Sequence, residues 1–336
     1  MWSTDPGVPT GGRPPGPGSA EERTVGRARP AVRDHQSFTL VLGGGGARGF
    51  AHVGVLRALE AIGYQPSALV GVSMGAIVAS TYALNPDWYS VLRNADLAGM
   101  PSAATLDSRG NGGVRRAREI LSFGLMLRDL ALHWGIAEHA LRQGRVLLKQ
   151  WTLNGWIEDA RIPLAVCATD LRSGTRVVLR EGRAANAAYA SAALAGVIPP
   201  APWGSQLLAD GAYTDVAPID VARAFGHPLV IAVDPGQPGG GAEPHNGLQT
   251  LVRAMEICHS QHAELRFAQA DLVLRPGFRR PVDTLDFSAR AECIAAGVRV
   301  VRRERERLDG MLRTPPQTRA GDHQPTDQGG APARAG

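Results

Sequence analysis

The pentapeptide Gly71-Val72-Ser73-Met74-Gly75 places a serine between two glycines, after a short apolar run and before a helix-like one. A serine in this setting can be held on a sharp strand-to-helix turn with its hydroxyl exposed, which suits a nucleophile. Gly71 and Gly75 lack the Cβ that would clash with the adjoining strand and helix. A serine hydroxyl needs a base to accept its proton and donors to stabilise the oxyanion that forms during acyl transfer. Ser73 can therefore act as a nucleophile only if other parts of the chain supply both.

A glycine-rich run, Gly43-Gly44-Gly45-Gly46-Ala47-Arg48-Gly49, lies one predicted strand and one predicted helix upstream of the serine. Consecutive glycines leave several backbone N–H groups free to converge on one point. The run also opens a predicted helix, whose positive end favours an anion. We interpret it as the loop that stabilises the oxyanion, with Arg48 either adding charge or bracing the loop.

Asp210 is the strongest candidate for the base. The apolar residues 207–209 lead into it and Gly211 allows a tight turn after it, which places the carboxylate at the end of a strand. A carboxylate beside Ser73 can accept its proton directly if burial keeps the carboxylate basic. Taken alone, Asp210-Gly211 is more typical of an ordinary turn.

A Ser-His-Asp triad stays open by chain order, because several histidines follow Ser73. None of them has a distinctive sequence setting, so we expect structural or surface roles for them. They include His227, His245, His259 and His262.

The spacing Gly44-x-Gly46-x-x-Gly49 also matches a dinucleotide-binding fingerprint. That fingerprint expects an acidic residue at the end of the second strand to hold the ribose, whereas here the strand ends at Val72 and leads into Ser73. A hydrolase is therefore favoured over a cofactor-binding protein. A phosphate-binding P-loop is excluded, because it requires a lysine after the glycines and the only lysine of the chain is Lys149.

Strand-like and helix-like runs alternate along the chain, which predicts an α/β fold with a mostly parallel sheet covered on both faces. Strands are predicted at 38–42, 68–72, 164–169, 176–179, 206–209, 229–233 and 272–274. Helices are predicted at 50–62, 74–84, 219–225, 248–270 and 288–312.

Composition limits the class of protein. Residues 1–36 and 313–336 are rich in Pro, Gly and polar residues, which predicts disordered tails around one domain at 37–312. A net charge of +5 over 336 residues gives no reason to expect nucleic acid binding. Three widely spaced cysteines and the absence of a signal-like or roughly 20-residue apolar run lead us to expect a soluble, cytoplasmic protein.

The segment 96–144 interrupts the alternation. It has an arginine-containing polar start, followed by leucines at helical spacing between Leu121 and Leu132. Such a segment can cover an active site or rest on a membrane surface. An ordinary amphipathic helix packed on the core is the favoured interpretation.

Taken together, three motifs resemble the patatin-like phospholipase family, particularly its bacterial members. The glycine loop with Arg48 and Gly49 resembles the family's oxyanion loop. Gly71 to Gly75 resembles its G-x-S-x-G elbow, and Asp210-Gly211-Ala212 resembles its D-G-G/A motif. The segments 190–196 and 216–218 are also similar. Two positions depart from the pattern: Gly43 stands where many members have aspartate, and Ala195 where a proline usually falls.

The resemblance implies a three-layer α/β/α domain and a catalytic dyad of Ser73, the nucleophile, and Asp210, the general base. It implies an oxyanion hole made by the backbone N–H groups of Gly44, Gly45 and Gly46, with Arg48 in support. The expected reaction is hydrolysis of the carboxylic esters of lipids through an acyl-enzyme, without a metal or organic cofactor. Transfer of the acyl group to another lipid or alcohol is the alternative on the same dyad.

Overall fold

The computed structural model of the chain describes residues 35–97, 138–237, 244 and 247–313. The predicted tails lie outside these residues, apart from 35–36 and 313, and so do residues 98–137 of the predicted insertion. The described strands are β1 (Phe38–Leu42), β2 (Ala68–Val72), β3 (Leu164–Asp170), β4 (Thr175–Leu179), β5 (Ala201–Trp203), β6 (Gln206–Ala209), β7 (Leu229–Val233) and β8 (Leu272–Leu274). The described α-helices are α1 (Ala51–Ala61), α2 (Met74–Leu84), α3 (Trp88–Arg93), α4 (Glu138–Trp151), α5 (Ala184–Ser191), α6 (Ile219–Arg223), α7 (Gly247–Phe267), α8 (Arg290–Arg303) and α9 (Arg305–Leu312).

The strands form one mixed sheet in the order β5-β6-β3-β2-β1-β7-β8, with β4 paired to β3. The pairs from β3 through β2, β1 and β7 to β8 are parallel, whereas β4, β5 and β6 pair antiparallel. The predicted α/β fold with a mostly parallel sheet is therefore confirmed.

Alternate residues of the central strands face two separate apolar layers. Leu40 and Leu42 of β1 join a cluster with side chains of α1, α2 and α8. Val41 between them belongs to a second cluster with side chains of α6 and α7. Every residue of β1, β2 and β3 is buried, as expected for strands covered on both faces. The layers are thus helix, sheet and helix.

Some elements differ from the sequence prediction. The predicted helix at 288–312 is two helices, α8 and α9, separated at Glu304. The predicted helix at 50–62 begins with a 3₁₀ helix, Gly46–Phe50, before α1 starts at Ala51. The helices α3, α4 and α5 and the strand β5 were not predicted. The α5 segment is alanine-rich and nearly all buried, so it lacks the apolar-polar periodicity that marks a helix in sequence.

The antiparallel strand β6 creates a meeting point on β3. Val72 at the end of β2 pairs with Cys167 of β3, and Ala209 at the end of β6 pairs with Thr169 of β3. The strand β4 pairs with both of these β3 residues and therefore occupies the other side of β3. The strands β2 and β6 thus run towards each other along the same side of β3. The residues that follow their ends, Ser73 and Asp210, emerge face to face.

Candidate active site

Ser73 occupies a strained turn between β2 and α2. Its backbone has φ 55° and ψ −125°, a conformation that non-glycine residues rarely adopt. Its carbonyl accepts hydrogen bonds from the N–H groups of Ala76 and Ile77, so the helix begins at the serine itself. A Cβ at Gly75 would collide with the carbonyl oxygen of Leu42, which explains the glycine at this position of the elbow.

Ser73 and Asp210 are in direct contact. The Ser73 hydroxyl donates a hydrogen bond to Oδ2 of Asp210 at 2.6 Å, and Oδ1 of Asp210 accepts one from the Ala212 N–H at 2.9 Å. Asp210 is only 4% exposed. Burial raises the pKa of its carboxyl to about 6, although the hydrogen bonds from Ser73 and Ala212 act in the opposite direction. The carboxylate is therefore a stronger base than an exposed aspartate and is still ionised near neutral pH.

A buried serine fixes the elbow to β3. The hydroxyl of Ser191, at the end of α5, donates to the carbonyl of Cys167 at 2.6 Å and accepts from the Ser73 N–H at 2.9 Å. Its single proton goes to the carbonyl, so an oxygen lone pair is left for the serine N–H. Sequence reasoning did not assign a role to Ser191, although it lies in a segment that resembles the family pattern.

The glycine loop lies directly against Ser73. A Cβ placed on Gly44 would be 3.5 Å from the Cβ of Ser73. Among the residues that the structure describes, no acceptor takes a hydrogen bond from the N–H of Gly44 or Gly45. Gly46 follows with φ +54° as the first residue of the 3₁₀ helix. The loop thus offers free backbone donors beside the serine.

Arg48 is buried and anchors this loop to two other segments. Its Nη1 donates to the carbonyl of Val282 at 2.8 Å, and its Nη2 donates to Oε1 of Glu256 on α7 at 3.0 Å. The neighbouring Ala47 N–H donates to the carbonyl of Thr284 at 2.7 Å. Of the two roles expected for Arg48, these contacts support bracing of the loop. No sequence pattern singled out Glu256 or the 282–284 segment.

The motif glycines allow close packing around the site. At each of them an added Cβ would meet a neighbouring atom at less than the distance that real Cβ atoms tolerate. These glycines are Gly49 against Met74, Gly71 against Ala76, Gly75 against Leu42 and Gly211 against Cys167.

Among the described residues, no histidine is hydrogen-bonded to Ser73 or Asp210. His259 of α7 lines the same cleft and its ring lies 5.6 Å from that of Tyr213. His227 contacts Thr39 near the opposite end of β1. The side chain of His262 contacts the carbonyl of Cys258 in its own helix, and His245 lies outside the described residues.

The segment that departs from the family pattern has a hydrogen bond that a proline would lose. The Ala195 N–H donates to the hydroxyl of Tyr213 at 2.8 Å, and proline has no N–H. Two residues earlier, the carbonyl of Ala193 accepts from the Asp210 N–H at 3.0 Å. The segment therefore holds both Asp210 and the turn that follows it.

A family model described as patatin-like phospholipase matches residues 40–223, a span that contains all three motifs. The chain belongs to this family. Part of the lining of the patatin-like cleft comes from α7 and from Thr284, Leu285 and Phe287, which lie beyond the matched span.

Several relatives match between 59% and 70% of this patatin-like chain. Lysophospholipase NTE1 of Cryptococcus neoformans is 32% identical over 201 residues, which are 60% of this chain and 11% of that protein. A patatin-like phospholipase domain-containing protein of Caenorhabditis elegans is 36% identical over 199 residues, 59% of this chain and 13% of that protein. An uncharacterized NTE family protein of Mycobacterium tuberculosis is 32% identical over 248 residues, 70% of this chain and 59% of that protein. The chain thus spans less than two thirds of the length of each.

Solved structures are similar at lower identity. VipD from Legionella pneumophila has 15% sequence identity and a TM-score of 0.44, with 84% of this chain and 68% of that chain covered. The type III effector protein ExoU has 15% identity and a TM-score of 0.38, with 83% and 54% covered.

The cleft of the patatin-like domain opens beside Ser73 and is mainly apolar. Its apolar lining comes from α2, from the segment after α5, from α7 and from the 285–287 segment. The lining side chains are Met74, Ile77, Leu194, Val197, Ile198, Val216, Val252, Met255, Phe267, Leu285 and Phe287. Within the described part of the chain, no helix is both long and apolar enough to cross a membrane.

Proposed function

We propose that this protein is a serine hydrolase that cleaves carboxylic ester bonds of lipids through a Ser73–Asp210 dyad. The observation that carries the proposal is the 2.6 Å hydrogen bond from the Ser73 hydroxyl to a buried carboxylate whose pKa is raised to about 6. A general base is most effective when its pKa lies near the working pH, because it is then both ionised and basic enough to accept a proton.

In the first half of the reaction, Ser73 Oγ attacks the ester carbonyl carbon and its proton passes to Asp210 Oδ2. The carbonyl oxygen becomes an oxyanion, which the N–H groups of Gly44, Gly45 and Gly46 stabilise. The positive end of α2, whose N-cap is Ser73, favours the same negative charge. The tetrahedral intermediate then collapses, the alcohol leaves with the proton from Asp210, and the acyl group stays on Ser73.

In the second half, Asp210 accepts a proton from a water molecule as the water attacks the acyl-enzyme. The same backbone donors stabilise the second oxyanion. Collapse of this intermediate returns the proton to Ser73 Oγ and releases the carboxylic acid. Among the groups described around the serine, the carboxylate alone has to act as both base and acid.

The apolar cleft supports a lipid substrate. Side chains such as Ile77, Ile198 and Phe287 can bury an acyl chain and exclude water from it. The phospholipase and lysophospholipase names of the relatives agree with this class of substrate. Contact with a membrane or micelle surface is part of the proposal, since such a substrate resides there.

A fluorophosphonate probe and two esters test the proposal. Wild-type protein should be labelled on Ser73 and should hydrolyse p-nitrophenyl butyrate and lysophosphatidylcholine. Ser73→Ala should lose labelling and activity, and Asp210→Asn should lose activity by roughly 10²- to 10⁴-fold, the usual range for a general base. Ser205→Ala, an exposed serine between β5 and β6, is the matched control. Full activity in both dyad variants would rule the dyad out.

Product analysis separates the alternatives. Free fatty acid should be the main product even when an acceptor alcohol or a second lipid is present. A product in which the acceptor is acylated would indicate a transacylase. Greater activity on micelles than on monomeric short esters would support surface contact, and saturable micromolar binding of a nicotinamide or flavin cofactor would instead favour a dinucleotide-binding protein.

A further inference from the structure

A buried histidine lies directly behind the glycine loop. His52, in the first turn of α1, is completely buried and its Nε2 lies 2.8 Å from the carbonyl oxygen of Gly43. A carbonyl oxygen only accepts hydrogen bonds, so Nε2 must carry the proton. Nδ1 is then unprotonated, and within the described part of the chain this buried atom has no hydrogen-bond partner.

Because its Nδ1 has no hydrogen-bond partner, a histidine at this position is less stabilising than an apolar residue would be. A buried polar atom without a partner destabilises the fold, and an apolar side chain of similar size would avoid that loss. Burial also lowers the pKa of His52 to about 4, so the ring is neutral at physiological pH and offers a single donor. The feature that an apolar residue could not supply is the bond to the Gly43 carbonyl.

The two faces of the Gly43–Gly44 peptide connect this bond to the active site. Gly43 is held at the end of β1, where its N–H donates to the carbonyl of Val233 at 3.2 Å. The peptide between Gly43 and Gly44 is trans, as are all the described peptide bonds, so its C=O and N–H point in opposite directions. With the Gly43 carbonyl directed at His52, the Gly44 N–H points away from His52, and Gly44 itself lines the cleft that contains Ser73.

We propose that His52 is a positioning residue of the oxyanion hole: by holding the Gly43 carbonyl, it keeps the Gly44 N–H directed at the oxygen of the bound ester. This inference rests on the proposed ester hydrolysis. Glycine peptides have no side chains to restrict their rotation, so a run of four glycines does not fix the direction of its N–H groups. Oxyanion stabilisation requires donors that are already oriented before the charge develops.

Three variants separate the donor from the volume of the ring. His52→Leu fills the space without a donor. In His52→Gln the amide nitrogen is as many bonds from Cβ as Nε2 is, whereas in His52→Asn it is one bond short. His227→Leu is the matched control, because it removes a histidine contact at Thr39, towards the opposite end of β1. Circular dichroism and thermal melting establish which variants fold.

Kinetics on p-nitrophenyl butyrate give the first readout. We expect His52→Leu and His52→Asn to lower kcat by roughly 10- to 100-fold with KM within about twofold, less than the 10²–10³ that loss of an oxyanion donor itself costs. His52→Gln should recover most of kcat, and His227→Leu should match the wild type. If His52→Leu fails to fold, the comparison of His52→Gln with His52→Asn decides the question.

A pair of inhibitors gives a readout that a merely structural role would not move. A trifluoromethyl ketone with an acyl-like chain forms a tetrahedral oxyanion with Ser73, whereas the corresponding methyl ketone binds without one. Loss of the His52 donor should weaken the trifluoromethyl ketone by about the same factor as kcat/KM and leave the methyl ketone unchanged. The inference about His52 would be overturned if both ketones were weakened equally. It would also be overturned if a folded His52→Leu or His52→Asn variant had unchanged kinetics. Neither result would contradict the proposed ester hydrolysis. A wild-type protein that neither hydrolyses esters nor binds the trifluoromethyl ketone would overturn the proposed function.

Discussion

In the proposed dyad, Asp210 acts on Ser73 without an intervening imidazole, so the environment of Asp210 must supply the basicity. An exposed carboxylate is almost fully ionised at neutral pH but holds a proton weakly. Burial beside Ser73 raises the pKa of Asp210 to about 6, whereas the Ala212 N–H stabilises its ionised form. Among the described residues, no arginine or lysine is paired with Asp210. Burial therefore has the largest effect on its pKa.

The pH profile of the reaction follows from this pKa. In the proposed mechanism the ionised form of Asp210 is the base, so kcat/KM should rise about tenfold per pH unit below roughly pH 6 and level off above it. The measurement is kcat/KM for p-nitrophenyl butyrate in buffers of constant ionic strength between about pH 4 and about pH 9, with circular dichroism to establish that the fold persists.

His259 provides the control for this profile, because it lines the cleft and its own pKa is lowered from the usual histidine value by burial. His259→Gln should keep the acidic limb in the same place. If the limb disappears in His259→Gln, the assignment of the base to Asp210 is wrong. A limb near pH 4, as for an ordinary aspartate, would instead contradict the raised pKa of Asp210.

The candidate site lies where the ends of β2 and β6 meet, and the side chain of Ser191 links the end of β2 to β3. Ser191 contacts both the Cys167 carbonyl on β3 and the Ser73 N–H. Without the Ser191 hydroxyl, the N–H of Ser73, a strained and partly buried residue, loses its acceptor. Turn strain of this kind persists only when surrounding contacts hold it.

Ser191→Ala should therefore lower both stability and activity. We expect a loss of about 1–3 kcal/mol in the free energy of unfolding, from the unpaired N–H, and a lower kcat with little change in KM. Urea denaturation and steady-state kinetics measure the two effects.

Ser80→Ala is the matched control: Ser80 is fully buried on α2, but its hydroxyl has no hydrogen-bond partner among the described residues. It should be neutral or stabilising, because the removed hydroxyl had no bond to lose. An equal loss in both variants would show that the volume of the side chain matters and the hydrogen bonds do not.

The elements that the sequence predicted best are those with a clear local pattern. The strands β1, β2, β6, β7 and β8 and the helix α2 have the predicted bounds, because short apolar runs between turn signals mark them. The approach of β6 to β2 was not predictable, since strand pairing depends on residues that are far apart in sequence. The contacts of His52 and Ser191 depend on that packing too. Motifs therefore located the serine, the carboxylate and Arg48, but not the other groups that hold the site.

At the scale of the whole molecule, one ionic cluster connects the sheet to the second helical layer. Asp215, just after the Asp210 turn, accepts hydrogen bonds from Arg176 on β4 and Arg266 on α7. Its side chain is 2% exposed, whereas Asp220 on α6, which contacts the same two arginines, is 51% exposed. The two carboxylates therefore share their partners and differ in burial.

This difference predicts unequal effects of the same substitution. Asp215→Asn leaves two arginines without their buried partner and should cost about 3–5 kcal/mol in the free energy of unfolding. Asp220→Asn removes a solvent-screened partner and should cost about 0–1 kcal/mol. Urea denaturation of both variants at low and high salt measures this, and salt should weaken only the contribution of Asp220. Equal losses would contradict the prediction, because they would mean that burial of Asp215 adds nothing to the connection between β4 and α7. Esterase activity well below the melting temperature should persist in both variants, since neither carboxylate contacts Ser73 or Asp210.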